Sequence, residues 1–247
     1  MLPSPQPRPA APVNPIDWHR VDTVLLDMDG TLLDLHFDNH FWQTHLPLRY
    51  AETHGLDPAA ALQHLQRRFE AMQGTLQWYC LDFWQAELGL DIVALKREVS
   101  HLIALRPHTA AFLEALQHSG KTVWLVTNAH PDSLALKLEH TPLARWLHRI
   151  TSSHTLGAAK EHPAFWHALQ RLHPFDISRT LFVDDSVPVL TAAQHYGIAQ
   201  LLCITHPDSR APVRSVNGFV TATDFDQVLP IPPSPSPAGA TPCHSHD

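Results

Sequence analysis

Cysteine is scarce: Cys80, Cys203 and Cys243 are the only three in 247 residues. Few, odd in number and widely spaced, they form no disulfide framework and no zinc pattern, so a reducing cytosol is expected. Long apolar runs are missing as well, and none approaches the roughly 20 residues of a membrane-spanning helix. The opening Met1-Leu2-Pro3-Ser4-Pro5-Gln6-Pro7-Arg8-Pro9 has no apolar core and does not read as a signal peptide. Positive charge is short: 17 Lys and Arg face 24 Asp and Glu, a net charge of −7. That balance argues against a general binder of nucleic acid or anionic membranes. It is compatible with a small phosphorylated substrate drawn into a local metal site. The 20 histidines are scattered without ligand spacing, and no internal repeat is visible.

What is present is an ordinary globular balance, 44% apolar and 17% charged. The length suits one large domain, or a core with a smaller insert. Residues 1–15 and 230–247 are dense in Pro, Ala and Ser and are expected to be disordered, because they cannot bury enough apolar surface. The second ends in Cys243-His244-Ser245-His246-Asp247, read as a solvated tail in preference to a transition-metal ligand set. A cytoplasmic monomer or homodimer is expected.

The apolar, β-branched stretch Val21-Asp22-Thr23-Val24-Leu25-Leu26 predicts a buried strand. Residues 32–37 then read as a short loop. From about 37 to 104 the pattern is helical with no convincing strand: a helix over 59–72 with Asp57-Pro58 at its start, a second over 77–88 ended by Gly89, and a third over 91–103. Beyond residue 105, helices over 109–117, 133–139, 163–172 and 189–196 alternate with strands over 122–127, 149–153, 180–183 and a last one over 200–205. Strands alternating with crossover helices predict an α/β fold, a doubly wound parallel sheet with right-handed connections. The expected division is an α/β core over 16–36 and 105–229, interrupted by a helical insert over 37–104.

The chemistry gathers at strand ends. Asp27-Met28-Asp29-Gly30-Thr31 sets two carboxylates one residue apart after the first strand, at the edge where open α/β sheets bind ligands. Two such acids repel one another and call for a hard divalent cation such as Mg²⁺. Thr127-Asn128 ends the next strand with a hydroxyl and an amide suited to a phosphoryl oxygen, Lys160 precedes a helix N-terminus, and Asp184-Asp185-Ser186 ends a later strand with a second acidic pair. This inventory predicts phosphoryl transfer. Asp27 attacks phosphorus and forms an aspartyl-phosphate, Asp29 protonates the leaving alkoxide and then activates water, and Mg²⁺ with Lys160 offsets the repulsion between phosphate and carboxylates.

Asp27-x-Asp29-Gly30-Thr31, Thr127-Asn128, Lys160 and Asp184-Asp185-Ser186, in that order, resemble the four signatures of the haloacid-dehalogenase-like (HAD) hydrolase superfamily. The resemblance spans about residues 16–229 and implies a Rossmannoid core with a C1-type helical cap over the site. It implies Asp27 as nucleophile and Mg²⁺ ligand, and Asp29 as acid/base that binds the metal through its backbone carbonyl. Thr127, Asn128 and Lys160 would hold phosphate, and Asp185, supported by Asp184, would complete the metal shell. Val21 to Leu35, Phe37-Asp38-Asn39, Trp78-Tyr79-Cys80-Leu81-Asp82 and Thr127-Asn128-Ala129-His130-Pro131 look more narrowly like the bacterial GMP/IMP nucleotidase branch. That branch implies hydrolysis of purine 5′-nucleotides. Ala158-Ala159-Lys160-Glu161 departs from the pattern by lacking the Gly/Pro character common before the lysine.

Each residue also has a plainer reading. Asp-x-Asp alone is often an exposed turn, Thr127 a strand-end cap, Lys160 a solvated charge and Asp184-Asp185 a helix cap; their ordered series favours catalysis. Trp78, Tyr79 and Phe83 stack on a base or pack a helix, and Asp38, Asn39 and His130 contact substrate or bond within loops. Ser119-Gly120-Lys121-Thr122 imitates the end of a P-loop but precedes a strand and is rejected. The alternatives are a phosphatase or phosphomutase for sugar phosphates or phosphoglycolate, or a non-catalytic binding protein on the same scaffold. Dehalogenation has no need of Asp29.

Overall fold

The computed structural model describes residues 15–233. Most of the two segments expected to be disordered, and all of Cys243 to Asp247, therefore lie outside the described residues. Of the 230–247 segment the first four are described, and Ile231 packs against the main core.

Among the described residues six strands form one sheet: β1 Thr23–Leu26, β2 Thr122–Thr127, β3 Arg149–Ser152, β4 Thr180–Asp184, β5 Gln200–Ile204 and β6 Val220–Ala222. Their order is β3-β2-β1-β4-β5-β6, every pair parallel. The chain builds outward from β1 through β2 and β3, then returns to β1's other side for β4. β1 and β4 therefore flank the point where strand order reverses, and a crevice opens at their carboxyl ends. Leu26 is level with Leu125 on one side and Val183 on the other, so the residues after β1 emerge beside the end of β4.

Both faces of β1, β2 and β4 are covered, which is why those strands are largely apolar, whereas β3 opens with exposed Arg149 and Ile150 and β6 with exposed Val220. Val24 and Leu26 point into a cluster with Phe112, Leu125, Leu181 and Phe225. Leu25 points to the opposite face, among Trp124, Phe165, Trp166 and Phe182. Each such side chain, fully buried, contributes about 1.5–3 kcal/mol.

Between β1 and β2 lie α1 His36–His40, α2 Leu46–His54, α3 Pro58–Met72, α4 Leu81–Leu88 and α5 Ile92–Glu98. A π-helical turn, Phe41–His45, joins α1 to α2. These helices share a cluster of their own, built on Phe37, Phe41, Leu65, Trp84, Leu88 and Ile92. The remaining helices are α6 Thr109–His118, α7 Pro131–His140, α8 Ser153–Leu156, α9 Pro163–Leu172 and α10 Val187–Tyr196. No helix among the described residues is long and apolar enough to cross a membrane.

Three elements differ from the sequence reading. The strand over 200–205 is not the last, since β6 pairs with β5 beyond it. The helix expected over 77–88 is broken at Cys80, whose extended backbone (φ −86°, ψ 112°) separates a 3₁₀ turn, Gln77–Tyr79, from α4; the indole of Trp84 donates back to Trp78 O at 2.9 Å and ties the two. The helix expected over 91–103 ends at Glu98, because Val99 leaves helical geometry (φ −113°, ψ 14°) and a 3₁₀ turn, Ser100–Leu102, follows. By contrast α3 starts as read: Asp57 Oδ2 accepts from the N–H groups of Ala59 and Ala60 at 3.0 and 3.2 Å, with Pro58 in the first turn.

Candidate active site

Asp27 follows β1 directly and stays in the sheet ladder, its N–H donating to Val183 O at 3.0 Å. Asp184 is the last residue of β4. Between them reaches Lys160, whose Nζ lies 2.5 Å from Asp27 Oδ1 and 2.7 Å from Asp184 Oδ2 and donates to Val126 O at 3.2 Å. All three side chains are buried. Lys160 is placed without the expected Gly/Pro context by two bonds on its own backbone. Its N–H donates to Asn128 Oδ1 and its carbonyl accepts from the Trp166 indole, both at 2.9 Å. The Asn128 amide also donates to Glu161 Oε2 at 2.9 Å, while Glu161 Oε1 accepts from the Tyr79 hydroxyl at 2.6 Å. Asn128 thus fixes the lysine turn, and Thr127 Oγ1 accepts from Ala129 N–H at 3.0 Å.

Asp185 is held by Arg214, whose guanidinium donates to Asp185 O at 2.8 Å and to Oδ2 at 3.2 Å. Gly30 makes room for it. At φ +86° Gly30 occupies backbone space that L side chains rarely adopt, and a Cβ there would come within 2.8 Å of Asp185 Cγ and 2.9 Å of Pro207 Cβ.

Carboxylate oxygens of Asp27, Asp184 and Asp185 lie within 4.8 Å of one another. Burial raises all three: Asp27 and Asp184 to about 6, with Lys160 opposing the rise, and Asp185 to about 7, where the neighbouring Asp27 adds to burial. One lysine and one arginine do not balance three carboxylates, and Lys160 is itself pushed upward, since Asp184 and Asp27 outweigh its burial. A residual negative charge on hard oxygen donors fits a divalent cation of the Mg²⁺ type.

Asp29 begins a second buried chain of charge. Its Oδ1 lies 2.7 Å from Lys137 Nζ; the same ammonium is 2.7 Å from Asp38 Oδ2, and Asp38 Oδ1 is 2.8 Å from Lys96 Nζ. The lysine side chains are 1% and 2% exposed. Burial raises Asp29 to about 6 against the pull of Lys137. At Asp38 burial pushes upward too, but Lys137 and Lys96 outweigh it and bring the group to about 2. Lys137 is raised because its two carboxylates overcome burial, whereas burial wins at Lys96 and lowers it. The Lys96 ammonium also sits 4.8 and 4.6 Å from the Phe37 and Phe41 ring centres.

An open cleft joins these groups. It is lined by Asp27, Asp29, Thr127, Asn128, Lys160, Asp184 and Asp185, and also by Asp38, Asn39, Trp78, Tyr79 and His130. Every candidate from the sequence except Phe83 is therefore at one place. Their partners are informative: Asn39 donates to Asp208 Oδ2 at 2.7 Å, and His130 Nδ1 accepts from Asp132 N–H at 3.4 Å as the cap of α7. Trp78 stacks on Trp42 at 6.3 Å and meets Phe69 and Trp84 edge-on, while Phe83 does not line the cleft. Sequence reasoning missed Lys96, Lys137, Trp42, Glu161 and Arg214 as members of the site. Lys96 carried a readable signal: it falls in the stripe Ile92, Leu95, Lys96, Val99, at positions where a helix buries its face.

The chain is 45% identical over 215 residues to the GMP/IMP nucleotidase YrfG of Escherichia coli, covering 87% of this chain and 97% of that one. It is 27% identical over 214 residues to a phosphoglycolate phosphatase of Pseudomonas syringae pv. tomato, covering 84% and 78%. The solved structure of a HAD phosphatase from Thermococcus onnurineus superposes with a TM-score of 0.68 at 21% identity, over 81% of this chain and 92% of that one, and shows the same fold. Residues 21–197 match the family model for haloacid dehalogenase-like hydrolases, a span that holds both acidic pairs, Thr127 and Lys160, and it is to these hydrolases that the chain belongs.

Proposed function

We propose that this protein is a cytoplasmic, Mg²⁺-dependent phosphatase that hydrolyses purine 5′-mononucleotides, IMP and GMP, to nucleoside and phosphate. The observation that carries the chemistry is the buried Asp27–Lys160–Asp184 bridge at the switch point of the sheet, with Asp29 beside it. The nucleotide preference is supported by the likeness to the nucleotidase over nearly the whole length of both chains.

Lys160 occupies Asp27 Oδ1, which leaves Oδ2 as the attacking oxygen. That oxygen forms a bond to phosphorus as the bond from phosphorus to the nucleoside 5′-oxygen breaks. Asp29, raised to about 6, starts protonated often enough to deliver its proton to the departing oxygen. The resulting carboxylate takes a proton from water, the hydroxide attacks phosphorus, and the acyl-phosphate bond breaks to release phosphate and restore Asp27. The Thr127 hydroxyl and the Lys160 ammonium hold phosphoryl oxygens, and Asn128 keeps the lysine in place. Asp27, Asp184 and Asp185, with the Asp29 carbonyl, would hold Mg²⁺, which supplies charge neutralisation at the phosphate. Asp184 accepts from Lys160 and from Ser186 N–H at 2.8 Å, so Asp185 is the freer ligand of that pair. Residues 37–104 act as a cap over the core, and Trp42, Trp78 and Tyr79 offer ring surface to the base.

The deciding experiment is phosphate release across IMP, GMP, AMP, pyrimidine nucleotides, sugar phosphates and phosphoglycolate, with and without Mg²⁺. kcat/KM for IMP and GMP is expected to exceed that for the non-nucleotides by about tenfold or more. A phosphoglycolate or sugar-phosphate preference would remove the nucleotidase reading and leave the core mechanism intact; the 27% likeness to a phosphoglycolate phosphatase makes that the rival.

Metal dependence has a pH signature. In the metal-free protein the raised values of Asp27, Asp184 and Asp185 favour their protonated forms. The stability these groups contribute is complete below the unfolded carboxylate value of about 3.9 and is lost as pH rises through 6 to 7. Mg²⁺ binds the ionised groups, so its effect on Tm should be slight near pH 5 and grow toward pH 8. At a hundredfold excess over Kd the gain is about 2.7 kcal/mol, or roughly 5–10 °C for a chain of this size. Thermal melts with Mg²⁺ or EDTA at several pH values check this, and an equal shift at pH 5 and 8 would contradict it.

A further inference from the structure

We infer a second metal site, distinct in donor chemistry from the acidic one: Cys80, His130 and His154 bind a zinc ion across the seam between the helical block and the sheet. The Cys80 thiol sulfur and one ring nitrogen from each histidine all lie within 4.8 Å of one another. The three come from separate elements. Cys80 precedes α4, His130 precedes α7, and His154 lies in α8. Their convergence is tertiary, which is why no short ligand spacing announces it.

Among the described residues His154 Nε2 is buried and makes no hydrogen bond of normal geometry, with the backbones of Asn128 and Tyr79 lying against the ring. Cys80 is a free, half-buried thiol, and the His130 and His154 rings sit 5.0 Å apart at 77°. One sulfur and two imidazole nitrogens suit Zn²⁺ and are poor ligands for Mg²⁺. Three protein ligands leave a fourth tetrahedral position for water. A metal-bound histidine is oriented by a carboxylate on its other nitrogen, and His130 has one on either side: Asp132 Oδ2 is 3.6 Å from Nδ1 and Asp82 Oδ2 is 3.5 Å from Nε2. Binding through Nε2 would protonate Nδ1 and exchange its helix-cap bond with Asp132 N–H, at 3.4 Å, for one donated to Asp132 Oδ2 at 3.6 Å.

The site also has a mechanical meaning. His130 and Tyr79, the residue before Cys80, both line the catalytic cleft. Zinc would tie Cys80 of the helical block to His130 and His154 of the core, and so hold the block against the sheet while substrate enters or product leaves. Zinc is therefore an inhibitor acting beside the cleft. This last point rests on the phosphatase reading; the binding itself does not.

The test uses the full chain in excess Mg²⁺, which occupies the acidic site, with Co²⁺ as the spectroscopic probe and Zn²⁺ as competitor. Co²⁺ is expected to give a thiolate-to-cobalt charge-transfer absorption saturating at one equivalent and abolished by Zn²⁺. Cys80→Ser should lose that absorption, and His154→Gln should weaken Co²⁺ binding by about tenfold or more. Because Cys243, His244 and His246 offer competing ligands, a Cys243→Ser/His244→Ala/His246→Ala variant must retain the signal. Absence of the absorption from the unaltered chain, or its persistence in Cys80→Ser, overturns the site. Inhibition of phosphate release by Zn²⁺ should likewise disappear in Cys80→Ser. If cobalt binds through Cys80 and Zn²⁺ still leaves turnover unchanged, the site stands and the clamp falls.

Discussion

Asp27→Asn is expected to lower phosphate release by on the order of 10⁴–10⁶-fold, the range seen when a covalent nucleophile is removed. The substitution keeps the shape of the side chain and takes away the attacking oxygen's charge. No neighbour can replace it. Asp184 has one oxygen on Lys160 and the other on Ser186 N–H, and Asp185 is drawn aside by Arg214. Lys160 keeps Asp184 as a partner, so it is not stranded. Removing one of three mutually repelling buried carboxylates should also raise Tm in EDTA, because burial already disfavours the charge on Asp27. The paired measurements are phosphate release and a thermal melt without metal. Loss of activity together with a lower Tm would point to unfolding, and activity within tenfold of the original would remove Asp27 from the mechanism.

Asp38→Asn is the second large effect, and it falls on stability. Asp38 lies between two buried ammonium groups, 2.7 Å from Lys137 and 2.8 Å from Lys96. Breaking a buried pair by removing one partner costs about 3–5 kcal/mol, more than the Coulomb gain it once supplied, because the remaining charge is left desolvated. For a chain of this length that is a fall in Tm of roughly 6–20 °C. The orphan should be Lys96, which among the described residues has no second carboxylate within contact and is already held low by burial, whereas Lys137 keeps Asp29. Adding Lys96→Met to Asp38→Asn should therefore recover part of the loss, since it removes the stranded charge. Chemical denaturation of the single and double variants decides the matter: a loss below about 1 kcal/mol in Asp38→Asn would show that the four charges are not acting together. There is a matching acid response. Asp38 is depressed to about 2, so its stabilisation is full above about 3.9 and is lost as pH falls toward 2.

The parts of this site that could be read in the sequence are those whose signal is local. Asp27, Thr127 and Asp184 each follow or end a short apolar strand, and a parallel sheet brings strand ends to one edge by its topology alone. The central strands β1, β2 and β4 are legible because both their faces are buried, which makes them nearly unbroken apolar runs. β6 had no such run: it has three residues at the sheet edge, and Val220 is 41% exposed. Asp38 was read as a substrate contact or a loop bond, and it turns out to be committed to two lysines 58 and 99 residues away. That distance is the reason Lys96 and Lys137 were passed over. A lysine on a helix reads as a solvated flank unless its counter-charge is nearby in sequence, and here each counter-charge arrives only through the tertiary fold. Arg214 shows the same limit from a segment between β5 and β6 with no periodic pattern.

The buried line of charges from Asp29 through Lys137 and Asp38 to Lys96 has a consequence for exchanging parts among proteins of this fold. Lys137 belongs to α7 and Asp29 follows β1, but Asp38 and Lys96 are carried by α1 and α5, inside the helical segment between β1 and β2. Two of the four charges therefore travel with that segment and two stay behind. A chimera that kept this α/β framework and took its helices from another source would leave Lys137 facing Asp29 alone, with a buried positive charge no longer shared between two acids. Such a graft would have to bring an acid at the position of Asp38 together with a cation or neutral partner behind it. The helical segment is thus matched to this framework by charge as well as by shape.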